Sequence, residues 1–284
     1  MKQYKNIDLS NYSSMRLTSK GDTFYQPENL DELIELIKEL RTNRQDFYIV
    51  AKGSNIIFAE HVVKPIISVM SLNSTLTCDK GVIECGCSVT TQKLIRFAQE
   101  HELGGIEYLF SLPASIGGCI YMNAGRGKKQ NQSIVDYLQE VTYLDLETLT
   151  VQTDVVDKSK YSYRTSPYQF KNCIVLSAKL ALKHQTKEET EQQIKNRLAL
   201  CKKIQDASKP SCGSVFREGN RFVFHLFKLL GLHSGDACFS KKTPNWISNI
   251  GQATATDVRN LIKKMIFVHK LIGAKYKVEI KYFE

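Results

Sequence analysis

Two glycine-bearing segments carry the strongest chemical signal in the chain. The first reads Leu112-Pro113-Ala114-Ser115-Ile116-Gly117-Gly118-Cys119-Ile120-Tyr121-Met122-Asn123-Ala124-Gly125. The second, Ala51-Lys52-Gly53-Ser54-Asn55-Ile56, follows an apolar run at 47–50. Glycine lacks a Cβ, so a backbone that contains it can approach another molecule closely and offer its N–H groups. That suits a phosphate-bearing cofactor held by main-chain donors. Neither Gly-x-Gly-x-x-Gly nor the Gly-Lys-Ser/Thr loop of nucleotide triphosphate sites is present, so a nucleotide site here is of another kind. A buried, glycine-rich packing corner accounts for the first segment equally well.

Three side chains elsewhere could handle a proton or a developing charge. Arg164 closes Tyr161-Ser162-Tyr163-Arg164, Ser214 lies in Pro210-Ser211-Cys212-Gly213-Ser214-Val215-Phe216, and Glu279 stands between Lys277 and Lys281. Taken singly, each has a plain structural reading. A lone arginine is usually a surface residue, a serine after glycine suits a turn, and a glutamate flanked by lysines suits an exposed strand with cross-strand ion pairs.

The elements that must position these residues follow from periodicity. Asn29 can cap a helix in which Leu30, Leu33, Ile34, Ile37 and Leu40 fall on one face. Short strands are predicted at 47–50 and 66–69, then at 82–85, 140–144, 151–156 and 174–180, with one helix over 91–101 among them. A polar stretch from 183 opens a charged helix reaching about 204. Further helices are predicted at 221–230 and 256–271, the latter with Val258, Leu261, Ile262 and Met265 on its apolar face. A final strand over 276–283 alternates apolar and charged residues.

Composition limits the alternatives. At 42% hydrophobic and 24% charged, the 284-residue chain can bury a sizeable core. It has no apolar run of about 18 residues and no apolar stretch of a secretory leader near Met1, so a cytoplasmic location without membrane contact is expected. The eight cysteines are expected to be reduced and mostly buried. Only Cys85 and Cys87 stand close together, without a second pair to complete a zinc site, and the six histidines show no ligand spacing. No metal is expected. The net charge of +10 is dispersed, with no basic arm or basic-aromatic motif for nucleic acid; it suits small anionic ligands.

The order and spacing of five motifs resemble the UDP-N-acetylenolpyruvoylglucosamine reductase family, over nearly the whole chain. They are the two glycine segments, Tyr161-Ser162-Tyr163-Arg164, Gly213-Ser214-Val215-Phe216 and Val278-Glu279-Ile280. The resemblance implies a mixed α+β and α/β fold: a split two-part FAD-binding module of the vanillyl-alcohol-oxidase-like type, followed by an α+β substrate domain. The implied divisions are 1–70, 71–184 and 185–284. FAD is the implied cofactor, NADPH the co-substrate, and a UDP-sugar the substrate, in a monomer of the family's shorter subtype that reduces UDP-N-acetylglucosamine enolpyruvate to UDP-N-acetylmuramate. Carried over residue by residue, Lys52, Gly53, Ser54, Asn55 and Ile56, with Pro113, Ala114, Ser115, Gly117, Gly118, Asn123, Ala124 and Gly125, hold FAD. Arg164 and Glu279 stabilise an enol-type intermediate, and Ser214 supplies a proton.

The chain departs from the family's pattern at sensitive places. Arg217-Glu218-Gly219 replaces Lys-Asn-Pro, which sets a carboxylate where an anionic substrate is expected. Val223-Phe224 replaces a small Ala-Gly pair, Thr243-Pro244 a His-Ala pair, and Ser19-Lys20-Gly21 an early Gly-Gly. The segment 126–131 looks longer than usual, and the loop before Ala237 looks short. These changes leave a diverged paralogue, or a flavin oxidase of the same superfamily, as the alternative functions.

Overall fold

The computed structural model describes residues 1–127 and 132–284. Three sheets organise the chain. The first runs in the order Lys2–Asp8, Lys20–Gln26, Ile66–Ser68, Tyr48–Val50, with His61–Val62 also paired to Lys20–Gln26. Helix α1 (Leu30–Thr42) packs on it through Leu33, Leu36, Ile37 and Leu40. As the sequence suggested, Asn29 caps this helix, its side chain accepting the Glu32 N–H at 2.9 Å.

The second sheet is antiparallel, ordered Val151–Val155, Leu138–Asp145, Cys173–Ala181, Val82–Gly86, Leu76–Asp79. Its core takes in Leu94, Ile95 and Ala98 of α2 (Thr91–Glu100), and Ile116, Cys119 and Ile120 of α3 (Ile116–Tyr121). Here the sequence reading needs correcting. No helix is predicted within 112–125, yet that segment contains one, capped by Ser115, whose side chain accepts from the Gly118 N–H. Tertiary packing overrides the low helix propensity of the glycine pair.

The charged helix α4 (Lys187–Ile204) begins four residues later than expected. Thr186 and Glu189 form its capping box, while Lys183–His184 pairs with Leu103–Gly104 as a strand. A third sheet, Ser211–Ser214, Trp246–Asn249, Ala237–Phe239, His233–Ser234, packs with α5 (Arg221–Leu230) and α6 (Ala255–Leu271). This core recruits Met15, Leu17 and Ile57 from the start of the chain. No helix among the described residues is long and apolar enough to cross a membrane.

The expected continuous strand over 276–283 is also corrected. Lys277–Val278 pairs with Phe216–Glu218, whereas Lys281–Phe283 pairs in parallel with Ile56–Phe58 of the first part of the chain. Glu279 lies at the break, its N–H donated to Val215 O at 2.8 Å.

Candidate active site

The 52–56 segment leaves the strand Tyr48–Val50 and turns at Gly53, whose φ of +63° is left-handed. A Cβ there would stand 1.9 Å from the Tyr12 carbonyl oxygen, so no other residue fits. The Lys52, Gly53, Ser54 and Asn55 N–H groups donate to no acceptor among the described residues. A run of free amides beside a left-handed glycine is an anion cradle. Asn55 turns its side chain elsewhere, donating Nδ2 to Glu279 O at 3.2 Å, and the Ile56 carbonyl accepts from Ser13 Oγ at 2.7 Å.

Around α3 the predicted residues divide. The Gly117 N–H is committed to Cys87 O at 3.0 Å, and a Cβ on Gly117 would lie 2.9 Å from Cys87 Cβ. Gly117 is therefore a packing glycine. Ala114 is buried and its carbonyl accepts from Thr91 N–H. At Gly125 an added Cβ would lie 2.2 Å from Gln132 O across a small hairpin. Gly118 differs: a Cβ there would meet only Ser115 Oγ, at 3.5 Å, so this face of the helix is open. Pro113 is exposed beside it. Asn123 is 4% exposed at a φ of +42°; its Nδ2 donates to Ser162 O at 2.9 Å, and its buried Oδ1 finds no partner among the described residues. A buried acceptor without a donor is costly unless a ligand satisfies it. The free amides, the open Gly118 face and the orphaned Asn123 oxygen all fit a flavin dinucleotide. Most of the 126–131 insertion lies outside the described residues.

The end of α3 also holds the loop that carries Arg164. Tyr121 O accepts from Ser166 Oγ and Gln169 Nε2, both at 2.8 Å. Ser162 and Thr165 exchange backbone hydrogen bonds, which places Tyr163 and Arg164 at the tip of a tight turn, with Arg164 at a φ of +56°. A non-glycine residue held in that region is strained and marks a position fixed by its surroundings. From this tip Arg164 Nε reaches Glu279 Oε1 at 3.5 Å. The Glu279 side chain is only 14% exposed. Burial pushes its carboxyl pKa above the ordinary range, with Arg164 and Arg217 drawing it back. The exposed glutamate that the lysine pattern suggested is thus largely shielded, because the strand breaks there, and the residue pairs with the arginine.

Ser214 ends the strand Ser211–Ser214, directly after the left-handed Gly213. It is exposed, and its hydroxyl has no hydrogen-bond partner among the described residues. Its neighbour Val215 supplies the carbonyl that holds the Glu279 backbone, so Ser214 stands one residue from that anchor.

Sequence reasoning missed Arg217 as a site residue and treated its surroundings as a defect. Arg217 donates to Arg164 O at 3.3 Å and to Thr165 Oγ1 at 3.1 Å. Glu218 is exposed in the strand pair with Lys277, and its side chain has no hydrogen bond or ion pair among the described residues. The segment therefore presents a guanidinium, not a carboxylate, to the Arg164–Glu279 pair. Asn245 was also missed; it brackets Phe216 with two side-chain hydrogen bonds, at 2.9 and 2.7 Å. The departures at Gly219 and Phe224 compensate each other. A Cβ on Gly219 would lie 2.4 Å from Phe224 Cζ, so the larger ring occupies the space that glycine vacates. Beneath them His269 is fully buried. It accepts the Asn220 N–H on Nε2 at 2.9 Å, which makes Nδ1 the donor to Met265 O at 2.8 Å and the ring neutral.

Comparison with known proteins gives a consistent result. A family model described as "FAD binding domain" matches residues 22–153, and one described as "UDP-N-acetylenolpyruvoylglucosamine reductase, C-terminal domain" matches residues 205–283. The chain is 30% identical to the UDP-N-acetylenolpyruvoylglucosamine reductase of Borrelia garinii subsp. bavariensis, across 97% of this chain and 91% of that protein. It is 31% identical to the reductase of the same name from Listeria monocytogenes, across 97% and 92%. The fold resembles the crystal structure of the Thermus caldophilus reductase, with a TM-score of 0.78 and 23% identity, covering 100% of this chain and 98% of that one.

Proposed function

The chain belongs to the UDP-N-acetylenolpyruvoylglucosamine reductase family, and from that premise we propose how its residues carry out the reaction. It is an FAD-dependent oxidoreductase of peptidoglycan synthesis that uses NADPH to reduce UDP-N-acetylglucosamine enolpyruvate to UDP-N-acetylmuramate. Bound FAD supplies hydride transfer between the nicotinamide and the vinyl carbon of the substrate. The protein supplies binding, orientation and one proton.

We assign the pyrophosphate to the free amides of 52–55 and to the open face at Gly118, with the Asn123 Oδ1 accepting from the cofactor. Residues 1–70 and 71–184 then form the FAD module, and 185–284 the substrate domain of a cytoplasmic monomer. The observation that carries the catalytic assignment is the partly buried Arg164–Glu279 pair with Arg217 against it. Two guanidinium groups and one carboxylate carry a net positive charge, which suits the substrate carboxylate and the enol-type charge that grows on it. Glu279 holds Arg164 in place, and the strained turn at Arg164 fixes its direction. Ser214, with its hydroxyl free, donates a proton to the carbon next to the one that receives hydride. The serine oxygen is left with negative charge, which a net positive site makes less costly.

The two half-reactions test this directly. Ser214→Ala leaves flavin content and NADPH-driven bleaching intact and slows reoxidation by the enolpyruvyl UDP-sugar by about 10²–10⁴-fold, the range for a positioned general acid. Stopped-flow absorbance reads both steps. Equal slowing of both would make Ser214 structural, and no slowing of either would remove it from the mechanism. Failure of the wild-type flavin to be reoxidised by that sugar would favour the diverged-paralogue reading.

A further inference from the structure

Helices α5 and α6 expose a group of large apolar side chains that the reductase chemistry does not use. Leu229 is 82% exposed, Leu271 73% and Phe267 66%, with Leu230 and Ile272 about half exposed beside them. A shallow cleft of about 460 Å³ joins the two helices, lined by Leu226, Phe227, Leu230, Phe267 and Val268 together with Lys263 and Lys264. Single exposed apolar residues are ordinary, but a contiguous group marks an interaction surface.

The surrounding charge identifies the partner. α5 carries Arg221 and Lys228 and no acidic residue, and from 258 to 278 the chain has six Lys or Arg residues and no Asp or Glu. Of these six, Arg259 is paired with Glu284. A second copy seated face to face would set lysine against lysine, since a two-fold interface is self-complementary. The apolar side chains also project outward from the helices, as suits insertion into a fluid interface. We infer that the α5–α6 face docks peripherally on an anionic lipid bilayer, with Leu229, Phe267 and Leu271 entering the headgroup boundary and Lys263, Lys264 and Lys270 meeting the charged headgroups. No helix among the described residues is long and apolar enough to span the bilayer. Such docking departs from the expectation of no membrane contact on this face alone.

The test is cosedimentation of the FAD-loaded protein with phosphatidylcholine vesicles, without and with about 30% phosphatidylglycerol, at about 0.1 M salt. Anionic vesicles should bind at least about tenfold more tightly, given about fivefold for each lysine near the surface. The triple variant Leu229→Ser/Phe267→Ser/Leu271→Ser and the double variant Lys263→Glu/Lys264→Glu should each lose at least about tenfold. Both keep wild-type flavin content and turnover, because these side chains lie outside the reductase site. Several results would overturn the proposal: no pelleting with anionic vesicles, equal pelleting with and without phosphatidylglycerol, or triple-variant binding equal to wild type. A dimer detected by light scattering and abolished in the triple variant would reassign the face to contact between copies.

Discussion

Gly118→Ala separates the fold from the cofactor site because it pushes the two in opposite directions. Gly118 lies inside α3, and the added Cβ meets only Ser115 Oγ, at an ordinary 3.5 Å. Alanine is about 0.8–1 kcal/mol better than glycine within a helix and also narrows the unfolded ensemble. The apoprotein should therefore melt about 2–4 °C higher, the shift that 1 kcal/mol gives a large domain. The same methyl group stands on the face assigned to the FAD pyrophosphate. Displacing one charge-assisted hydrogen bond there costs about 1.5–3 kcal/mol, so the dissociation constant for FAD should rise about 10- to 150-fold. Differential scanning fluorimetry of apoprotein gives the first number, and titration of apoprotein with FAD, followed by quenching of flavin fluorescence, gives the second. Gly117→Ala is the contrast. Its Cβ would crowd Cys87 at 2.9 Å, so it should lower stability first. An unchanged FAD affinity in Gly118→Ala, alongside the higher melting temperature, would refute the placement of the cofactor on this face.

Further outcomes follow from the site and its supports. Arg217→Gln removes the donor to Arg164 O and Thr165 Oγ1; substrate reoxidation of the flavin should slow about 10–100-fold, as for loss of one preorganised charge, while reduction by NADPH is unchanged in stopped flow. Glu218→Asn should leave the substrate KM within about twofold, since exposed charges are well screened; a KM several-fold lower would place the carboxylate in the site after all. Glu60 links the 56–62 region to α6 by accepting the Thr256 N–H at 2.9 Å. Its burial raises the carboxyl pKa, but hydrogen bonds from the Thr256 hydroxyl and amide outweigh this and hold it at about 2. A depressed folded pKa adds stability above the unfolded value of 4.5 and loses it as pH falls toward 2. The melting temperature of Glu60→Gln should therefore fall less than wild type across that window, and parallel curves would exclude the link.

Helices were legible in the sequence because their signals are local. The apolar spacing and cap of α1 and the amphipathic pattern of α5 and α6 identify them to within a residue or two. The strand Lys2–Asp8 was missed because its residues are almost wholly exposed at a sheet edge, which leaves no alternation to read. The short strands Ala237–Phe239 and Trp246–Asn249 hold too few residues for a period. In the candidate site, Arg164, Ser214 and Glu279 were picked out from motif order alone. Their burial and pairing were not, because Glu279 is defined by a strand break and by partners far away in sequence. Arg217 was overlooked because substitution by type said nothing about which of two adjacent side chains turns inward.

The parallel pairing of Lys281–Phe283 with Ile56–Phe58 has a consequence for the order of biosynthesis. Asn55 and its partner Glu279 are 224 residues apart, and at about 5–20 residues per second a ribosome needs about 11–45 s to cover that distance. During that interval the nascent chain carries an unpaired strand edge at Ile57 and Phe58, of the kind that invites wrong partners. The cradle at 52–55 is translated long before the strand that fixes its shape. Cofactor capture is thereby tied to synthesis of the chain through Phe283, and fragments released before that point carry the cradle without the strand that holds it.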